Sequence, residues 1–472
     1  MRLEAYWGVG PKTAGLLRES IGESAAIAAI EGADVRTLAE AGLPRGRAVR
    51  ILRRATGTDG VDVLGTSDTR SVYDDLLSLA SEYAVTDHAA DRIRVMTPLT
   101  DREAIERRLD DVLAAKAVWT DLADDDRERV LAAFKRYDDA GGTDRAAVEA
   151  ALELRAVGLA GSTFEALGEV DEAALEEAAG ALGYIRETSD GPTVVEGADD
   201  ELDRLRGQRD AARELNNAAF DIIDTVRDGG VRDMQAFRSG VVDHVAGETE
   251  IPHATIRSAA PDEAVDAADF VSATLRELVA DLESRVADRE ETVVGDLRSR
   301  IETAKGDVEA AVDAVSEIAL SLSLGRFAAA YDLQRPTLVD DGLAVADARN
   351  LFVDGEVQPI SYGVGDHDLV DTPRAITPPA GDRVTVLTGA NSGGKTTLLE
   401  TLSQVALLTA MGLPVPAAAA EVGLFDTIVF HRRHASFNAG VLESTLKSIV
   451  PPLTGDGRTL MLVDEFEAIT EP

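Results

Sequence analysis

Residues Gly389 to Thr396 read Gly-Ala-Asn-Ser-Gly-Gly-Lys-Thr and fill every fixed position of the pattern G-x-x-x-x-G-K-[ST]. The chemistry that pattern performs is the cradling of a polyphosphate. Glycines let backbone N–H groups converge on one anion, and the helix start that follows adds the positive end of its dipole. Gly389, Asn391, Gly393, Gly394 and Thr397 are the candidate cradle. Lys395 is placed to reach the β and γ phosphates of ATP, and the Thr396 hydroxyl to bind Mg²⁺. The flanks suit the motif. Val384 to Leu387 is a β-branched run that reads as a buried strand, and Leu398 to Leu408 has helical spacing of Leu and Val. The alternative is a glycine-rich strand–helix turn that holds no ligand.

Sixty-nine residues after Lys395, the apolar run Thr459 to Val463 ends in Asp464-Glu465. A strand ending in two acids is a weak signal by itself and a strong one at that distance behind a phosphate loop. Asp464 is placed to hold the Mg²⁺ shell, and Glu465 to orient or deprotonate an attacking water. The competing reading is an acid pair at a helix N-cap.

A third group lies at the start of the chain. Residues 1 to 56 carry nine basic against six acidic residues, a balance of +3 that leaves −42 for the remainder of a chain whose net charge is −39. Trp7 to Ala14 and Ala41 to Ala48 look like two copies of one glycine hairpin entering a helix. Gly8, Gly10, Gly42 and Gly46 expose backbone N–H groups, Thr13 follows the first hairpin, and Lys12, Arg45 and Arg47 add charge. No side chain is placed to read base edges, so the contact expected is with DNA phosphates and is independent of sequence. Both segments resemble the helix-hairpin-helix motif, and two copies make its usual paired unit. The alternative is a small helical packing module.

The elements that must position these groups follow from composition and periodicity. A length of 472 residues leaves room for about three domains. There are no cysteines, hence no disulfide framework and no thiolate metal site. No signal peptide is legible, and the longest nearly apolar run, Val405 to Ala420, contains Pro414 and Pro416 and falls short of a span of about 20 residues. A cytoplasmic protein without membrane contact is expected. Only six of the 47 basic residues are lysines, and the acid-rich surface resembles that of proteins from salt-loving microbes. A hydrophobic share of 45% argues against a disordered acidic chain.

Thr56 to Thr66 reads as a linker. The chain from Ser71 to about Gly325 is mostly helical, with a helix starting near Tyr73, another from Asp101 as N-cap, and breaks at Gly141-Gly142-Thr143, Ser189 to Pro192 and Asp228 to Gly230. Phe270 to Leu324 is one long pattern of apolar steps of three and four, a coiled-coil-like arm with a bend or change of partner at Arg289-Glu290. From Arg335-Pro336 short strands take over: Asn350 to Val353, Val357 to Ser361 and Thr427 to Phe430. The fold class expected is multidomain: a helix-hairpin-helix head (1–57), a mainly α stretch (66–335) and an α/β P-loop domain (336–472); the resemblance of the phosphate loop to that of the MutS family implies that the middle stretch is a lever and clamp and that the last domain is an ABC-like ATPase, C-terminally truncated.

The phosphate loop resembles that of the MutS family, which has Pro where this chain has Ala390 and keeps the Asn. Met411 to Ala417 is similar to the family segment after the loop helix, Asp200 to Arg206 to the entry of its clamp, and Gly325-Arg326-Phe327 through Arg335-Pro336 to the return of its lever. Ser444-Thr445 matches the pair that, in the family, reaches across a dimer to the other subunit's nucleotide, and Asp464-Glu465 matches its second nucleotide motif. The resemblance implies a DNA-binding ATPase that uses Mg²⁺ and works as a homodimer, an ATP-gated clamp on mismatched or otherwise structured DNA in repair or recombination. Three departures accompany it. The mismatch-reading domain is replaced by the hairpins. Arg349-Asn350-Leu351 stands where the family has Arg-His-Pro near the adenine. The chain stops at Pro472, before the family's switch histidine and dimerisation helices, as in an incomplete gene product or fragment. The alternative function is a non-catalytic DNA-structure-binding protein. A chromosome-organising ATPase of the SMC kind ranks last, because here the helices precede the first nucleotide motif.

Overall fold

The computed structural model describes residues 3–6, 8–32, 34–56, 58–158, 162–188, 191–228, 233–353, 355, 358–369, 383–388, 394–432 and 457–464. The chain is mainly helical and divides into two compact units, Met1–Val170 with Ala310–Pro472, and Asp171–Glu309.

The first unit opens with a 3-10 turn, Leu3–Ala5, and the helices α1 (Pro11–Ser20), α2 (Glu23–Glu31), α3 (Val35–Glu40) and α4 (Arg45–Thr56). They close a small core of Leu17, Ile30, Leu38, Ile51 and Leu52, to which Val95 is added from further along. The helices α5 (Thr58–Asp62), α6 (Ser67–Ser81), α7 (Asp87–Val95), α8 (Arg102–Asp121), α9 (Asp124–Asp139), α10 (Asp144–Ala156) and α11 (Glu165–Gly168) follow. The N-cap expected at Asp101 forms. Thr66, Thr86, Asp101 and Thr143 each accept a backbone N–H with the side chain at the N-cap.

The second unit holds α12 (Glu172–Tyr184), the antiparallel hairpin β1 (Ile185–Thr188) and β2 (Gly191–Val194), then α13 (Asp200–Asn217), α14 (Ala219–Asp228), α15 (Met234–Thr249), α16 (His253–Ala259) and α17 (Ala267–Thr303). The apolar stripe of α17, from Phe270 through Leu275, Leu278, Leu282 and Val286 to Leu297, is buried with Leu202, Leu205 and Ala212 of α13 and the inner faces of α14 and α15. Helix α17 runs without interruption through Arg289-Glu290, where a bend or a change of partner was expected. Those residues are the polar ties of α17 to its partner: Arg289 pairs with Asp199 at 2.6 Å, and Glu290 accepts from Arg206 at 2.8 Å. The long helical pattern breaks instead at Ala304, whose φ of −91° and ψ of 6° end α17.

The chain re-enters the first unit along α18 (Lys305–Ala330), which leads to the strands β3 (Thr337–Val339), β4 (Leu343–Ala348), β5 (Ile360–Val364), the helix α19 (Lys395–Ala410) and the strands β6 (Ala419–Gly423), β7 (Thr427–His431) and β8 (Thr459–Val463). One sheet has the order β3-β6-β4-β5, with only β3 and β6 parallel, and β7 pairs β8 in parallel, Thr427 opposite Thr459 and His431 opposite Val463. The core beneath gathers Tyr73 and Leu77 of α6, Phe327 of α18, Val405 and Leu408 of α19, and Phe430 of β7.

Three further expectations are corrected. Val384 to Leu387 is not a strand: residues 383–388 have no ladder partner among the described residues, and without one the alternation turns Val384 and Val386 outward. Asn350 to Val353 is a turn, because Asn350 bonds back to α19 rather than along a ladder. The supposed linker Thr56 to Thr66 folds as α5 and then pairs with β7 through a parallel bridge of Leu64 to Ile428. Among the described residues no helix is long and apolar enough to cross a membrane.

The approach of α18 to α8 admits nothing larger than glycine at position 325. A Cβ there would lie 2.7 Å from the carbonyl carbon of Ala115 and 2.8 Å from the Lys116 nitrogen, both main-chain atoms that cannot yield. Gly325→Ala is therefore expected to destabilise the first unit by about 1–3 kcal/mol, the usual cost of overpacking, read as a lowered midpoint of thermal unfolding.

Candidate nucleotide and nucleic-acid sites

Helix α19 begins where Gly394 takes φ +73°, a left-handed turn that glycine adopts without strain, and Leu398 N–H closes the first helical bond on the Gly394 carbonyl at 2.8 Å. No side chain caps this helix start. Lys395 and Thr396 are its first two residues. The strand β8 delivers Asp464 to the same place, because the residue after Val463 is held by its own N–H on the His431 carbonyl at 2.9 Å. The Thr396 hydroxyl donates to Asp464 Oδ2 at 2.6 Å. Two groups 68 residues apart in sequence and read as sharing one metal thus meet directly, and Asp464 is only 8% exposed. A hydroxyl and a carboxylate are hard oxygen donors of the kind Mg²⁺ takes, so the residues present fit that ion.

The remaining candidates divide by position. Thr397 lies on the first turn of α19, where its carbonyl accepts from the Thr401 hydroxyl at 2.7 Å. Gly389, Asn391, Gly393, Glu465, Ser444 and Thr445 lie outside the described residues.

Around this pair is a polar network that the sequence reading did not assemble. Asn350, 4% exposed, donates to Glu400 at 3.0 Å and to Thr401 at 3.3 Å, and accepts from Gln404 at 3.1 Å and from the Phe352 N–H at 2.9 Å. Gln404 in turn accepts from the Leu351 N–H at 2.9 Å. Arg432, just past β7, pairs with Glu400 and lies 5.2 Å over the Phe430 ring. The signal in the sequence was the presence of Thr401, Ser403 and Gln404 in a helix that is otherwise apolar and buried.

At the start of the chain the two hairpins are interlocked. Gly8 has φ +80° and Gly42 φ +95°. A Cβ on Gly8 would meet Ile51 of α4 at 3.1 Å, and one on Gly42 would meet Leu16 of α1 at 3.5 Å, so each hairpin packs on the helix of the other. Arg47 joins them with bonds to the Thr13 hydroxyl at 2.8 Å and the Gly8 carbonyl at 3.4 Å. Gly10 and Gly46 have open space around the Cβ position, and Lys12 and Arg47 are exposed. Arg45 begins α4; its side chain lies outside the described residues. The hairpin at Gly8 is preceded by the 3-10 turn rather than by a helix.

Other basic residues of this region are engaged internally. Arg53 bonds the Arg94 carbonyl at 2.8 Å and Asp74 at 2.5 Å and sits 5.4 Å over the Tyr73 ring, while Arg18 pairs with Glu4 and Glu23. Tyr73 itself donates to the Met96 carbonyl, and burial pushes its phenol well above the usual range.

No family model matches the chain. Among known proteins it is similar to the DNA-binding protein MutS2 of Pyrococcus furiosus, 42% identical over 144 residues that make up 30% of this chain and 24% of that protein. It is also similar to the DNA mismatch repair protein MutS of Natronomonas pharaonis, 28% identical over 417 residues, 78% of this chain and 45% of that one. The DNA mismatch repair protein MutS of Granulibacter bethesdensis matches at 28% identity over 297 residues, 59% of this chain and 30% of that one. The matched segments span less than half the length of each of these relatives.

The Asn350 network is testable for its structural weight. Removing the amide in Asn350→Ala leaves the Gln404 amide and the Phe352 N–H buried without a partner. The expected loss is about 1–3 kcal/mol, the cost of stranding a buried polar group, measured by thermal unfolding.

Proposed function

We propose that this chain, which belongs to the MutS family, binds Mg·ATP at the start of α19 and holds DNA phosphates at the two hairpins of its first 56 residues. The observation that carries the reading is the 2.6 Å contact between Thr396 and Asp464, beside Lys395 and behind a complete phosphate-loop sequence. Thr396 and Asp464 would hold the metal, and Lys395 would meet the phosphates as a point charge. The metal, when bound, supplies charge neutralisation to the terminal phosphates. Gly389, Asn391, Gly393, Gly394 and Thr397 would complete the cradle with backbone N–H groups. Glu465 would orient the attacking water, and Ser444-Thr445 would act on the nucleotide of a second copy in a homodimer. The three domains (1–57, 66–335 and 336–472) would then be head, lever and clamp, and ATPase, and nucleotide binding would gate the grip on DNA in repair or recombination.

The hairpin reading is supported by the open surface at Gly10 and Gly46 and the exposed charges of Lys12 and Arg47, in a stretch of +3 within a chain of −39. The acidic body does not oppose this at high salt, where the Debye length is about 3 Å at 1 M. Short-range N–H contacts then carry more of the binding than distant charge.

Two measurements test the proposal. Lys395→Ala is expected to weaken ATP binding by about tenfold or more, a loss of roughly 1.4 kcal/mol or greater, in a titration with labelled nucleotide at high salt. Equal affinities in the two proteins would remove the nucleotide reading.

The DNA reading is tested by the double variant Gly10→Val with Gly46→Val. Neither position has a positive φ or a close neighbour, so the fold should survive while the approach to a phosphate is filled. Binding of a labelled duplex is expected to fall by about tenfold, against a slighter effect of Arg53→Ala, whose side chain is already committed. DNA binding that ignores nucleotide altogether would favour the non-catalytic alternative.

A further inference from the structure

Strand β7 alternates its backbone bonds between two neighbours. Thr427, Val429 and His431 face β8, while Ile428 and Phe430 turn their N–H and C=O to the other edge. That edge is taken by residues 63–69. Ile428 N–H donates to the Val63 carbonyl at 2.7 Å, and the Ile428 carbonyl accepts from Gly65 N–H at 3.0 Å. Further along, the Phe430 carbonyl accepts from the Thr66 hydroxyl at 2.5 Å, and Phe430 N–H donates to Thr69 Oγ1 at 2.8 Å. Asp68 closes the row. Its Oδ2 accepts Arg432 N–H at 2.9 Å and stands 3.5 Å from His431 Nδ1.

The dipeptide His431-Arg432 is therefore clasped from both sides. Asp68 holds it from α6, and Asp464 hangs on its opposite edge by the bond to the His431 carbonyl. Asp464 is the carboxylate that meets Thr396. Asp68 is 8% exposed and Thr69 is fully buried, in a chain with ample solvent surface for acids. A carboxylate withdrawn from water is costly unless it is bonded, so its place here is specific.

We propose that Asp68 is a positioning residue for the metal-binding carboxylate: it fixes the end of β7 and, through the His431 carbonyl, the aim of Asp464 toward Thr396. The inference rests on the nucleotide reading above. It goes beyond it in assigning a role to a residue of α6, nearly 400 positions away in sequence and outside every nucleotide motif. Without Asp68, the last backbone bond on this edge of β7 loses its acceptor, and Asp464 loses a fixed neighbour while keeping its own charge. The metal should then be held less well, and the phosphate contacts of Lys395 should be unaffected.

The test is the Mg²⁺ dependence of nucleotide binding in the full chain, titrating labelled ATP in a series of Mg²⁺ concentrations and in EDTA. Asp68→Ala is expected to raise the Mg²⁺ concentration for half-maximal stimulation by about tenfold, with affinity in EDTA unchanged. Asp68→Asn keeps an acceptor for Arg432 N–H and should stay near wild type. Should Asp68→Ala not fold, Asp68→Glu, which moves the carboxylate by one methylene, is read in its place. A wild type that responds to Mg²⁺ alongside an alanine variant with the same response overturns the inference alone. A wild type that binds no nucleotide, or binds it equally with and without Mg²⁺, overturns the nucleotide reading and the inference with it. Equal loss in Mg²⁺ and in EDTA marks Asp68 as a general structural residue and also overturns the positioning role.

Discussion

A strand cannot leave its backbone groups unbonded beneath a hydrophobic core, and β7 is buried at Ile428, Val429 and Phe430. Its pairing with β8 satisfies one edge only. The other is satisfied by a non-strand segment: two backbone bonds from Val63 and Gly65, then the hydroxyls of Thr66 and Thr69 and the carboxylate of Asp68 standing in for a neighbouring strand. Thr66 does this while serving as the N-cap of α6, so the helix start and the strand edge are solved by the same side chain. Gly65 has to be small for the arrangement to close, since a Cβ there would meet Thr427 at 2.9 Å and the Ile428 carbonyl at 3.0 Å. Asp464 hangs on the opposite edge of the same strand by its bond to the His431 carbonyl.

The extreme charge of the chain is put to structural use in a way that composition alone does not disclose. Asp34, Asp101, Asp171, Asp199, Asp233 and Asp266 are helix N-caps, each accepting backbone N–H groups that would otherwise be orphaned. Asp199 is doubly employed: the Arg289 guanidinium, together with its capping bonds, holds its carboxyl below the usual range. Most other ion pairs, such as Lys135 with Asp139 or Arg145 with Glu149, are exposed helix-surface pairs and contribute little. The arginines with structural weight are those that bond carbonyls: Arg53 to Arg94, Arg108 to Met411, Arg326 to Tyr83. A fork of five donors suits that task better than an ammonium does, in keeping with the scarcity of lysine.

What was legible in the sequence was what local pattern encodes. Helix α19, strands β7 and β8 and the N-cap at Asp101 follow from periodicity and capping chemistry, and the meeting of Thr396 with Asp464 follows from reading two motifs as one site. What escaped was whatever depended on a distant partner. The run Val384 to Leu387 has the composition of a strand, but composition supplies no neighbour for it to pair with. Arg289 and Glu290 interrupt an apolar stripe, and only the position of Asp199 and Arg206 reveals them as anchors. The segment Thr56 to Thr66 has the glycines, threonines and aspartates of a linker, and those same small polar residues are what a strand edge accepts in place of another strand. Asn350 could be flagged as a departure from a family pattern, yet its hydrogen bonds to α19 and to its own turn exist only in three dimensions.

The helix α6 connects these observations. Its N-terminal end holds β7 through Asp68 and Thr69, and six residues on from Asp68 its exposed side receives Arg53 of α4 at Asp74, beside Tyr73. At 1.5 Å per residue the two attachment points are about 9 Å apart along one helix. Thr69, Val72 and Tyr73 between them are almost wholly buried, so the helix has little slack with which to absorb a displacement at either end. The hairpin segment, through Arg53, and Asp464, through the end of β7, are thus both tied to α6 within the first unit. Any movement of α4 relative to α6 works against the Arg53 contacts, and any movement of β7 works against the Asp68 contacts. Mechanical continuity between the two candidate sites therefore exists along this route without reference to the helices of the second unit.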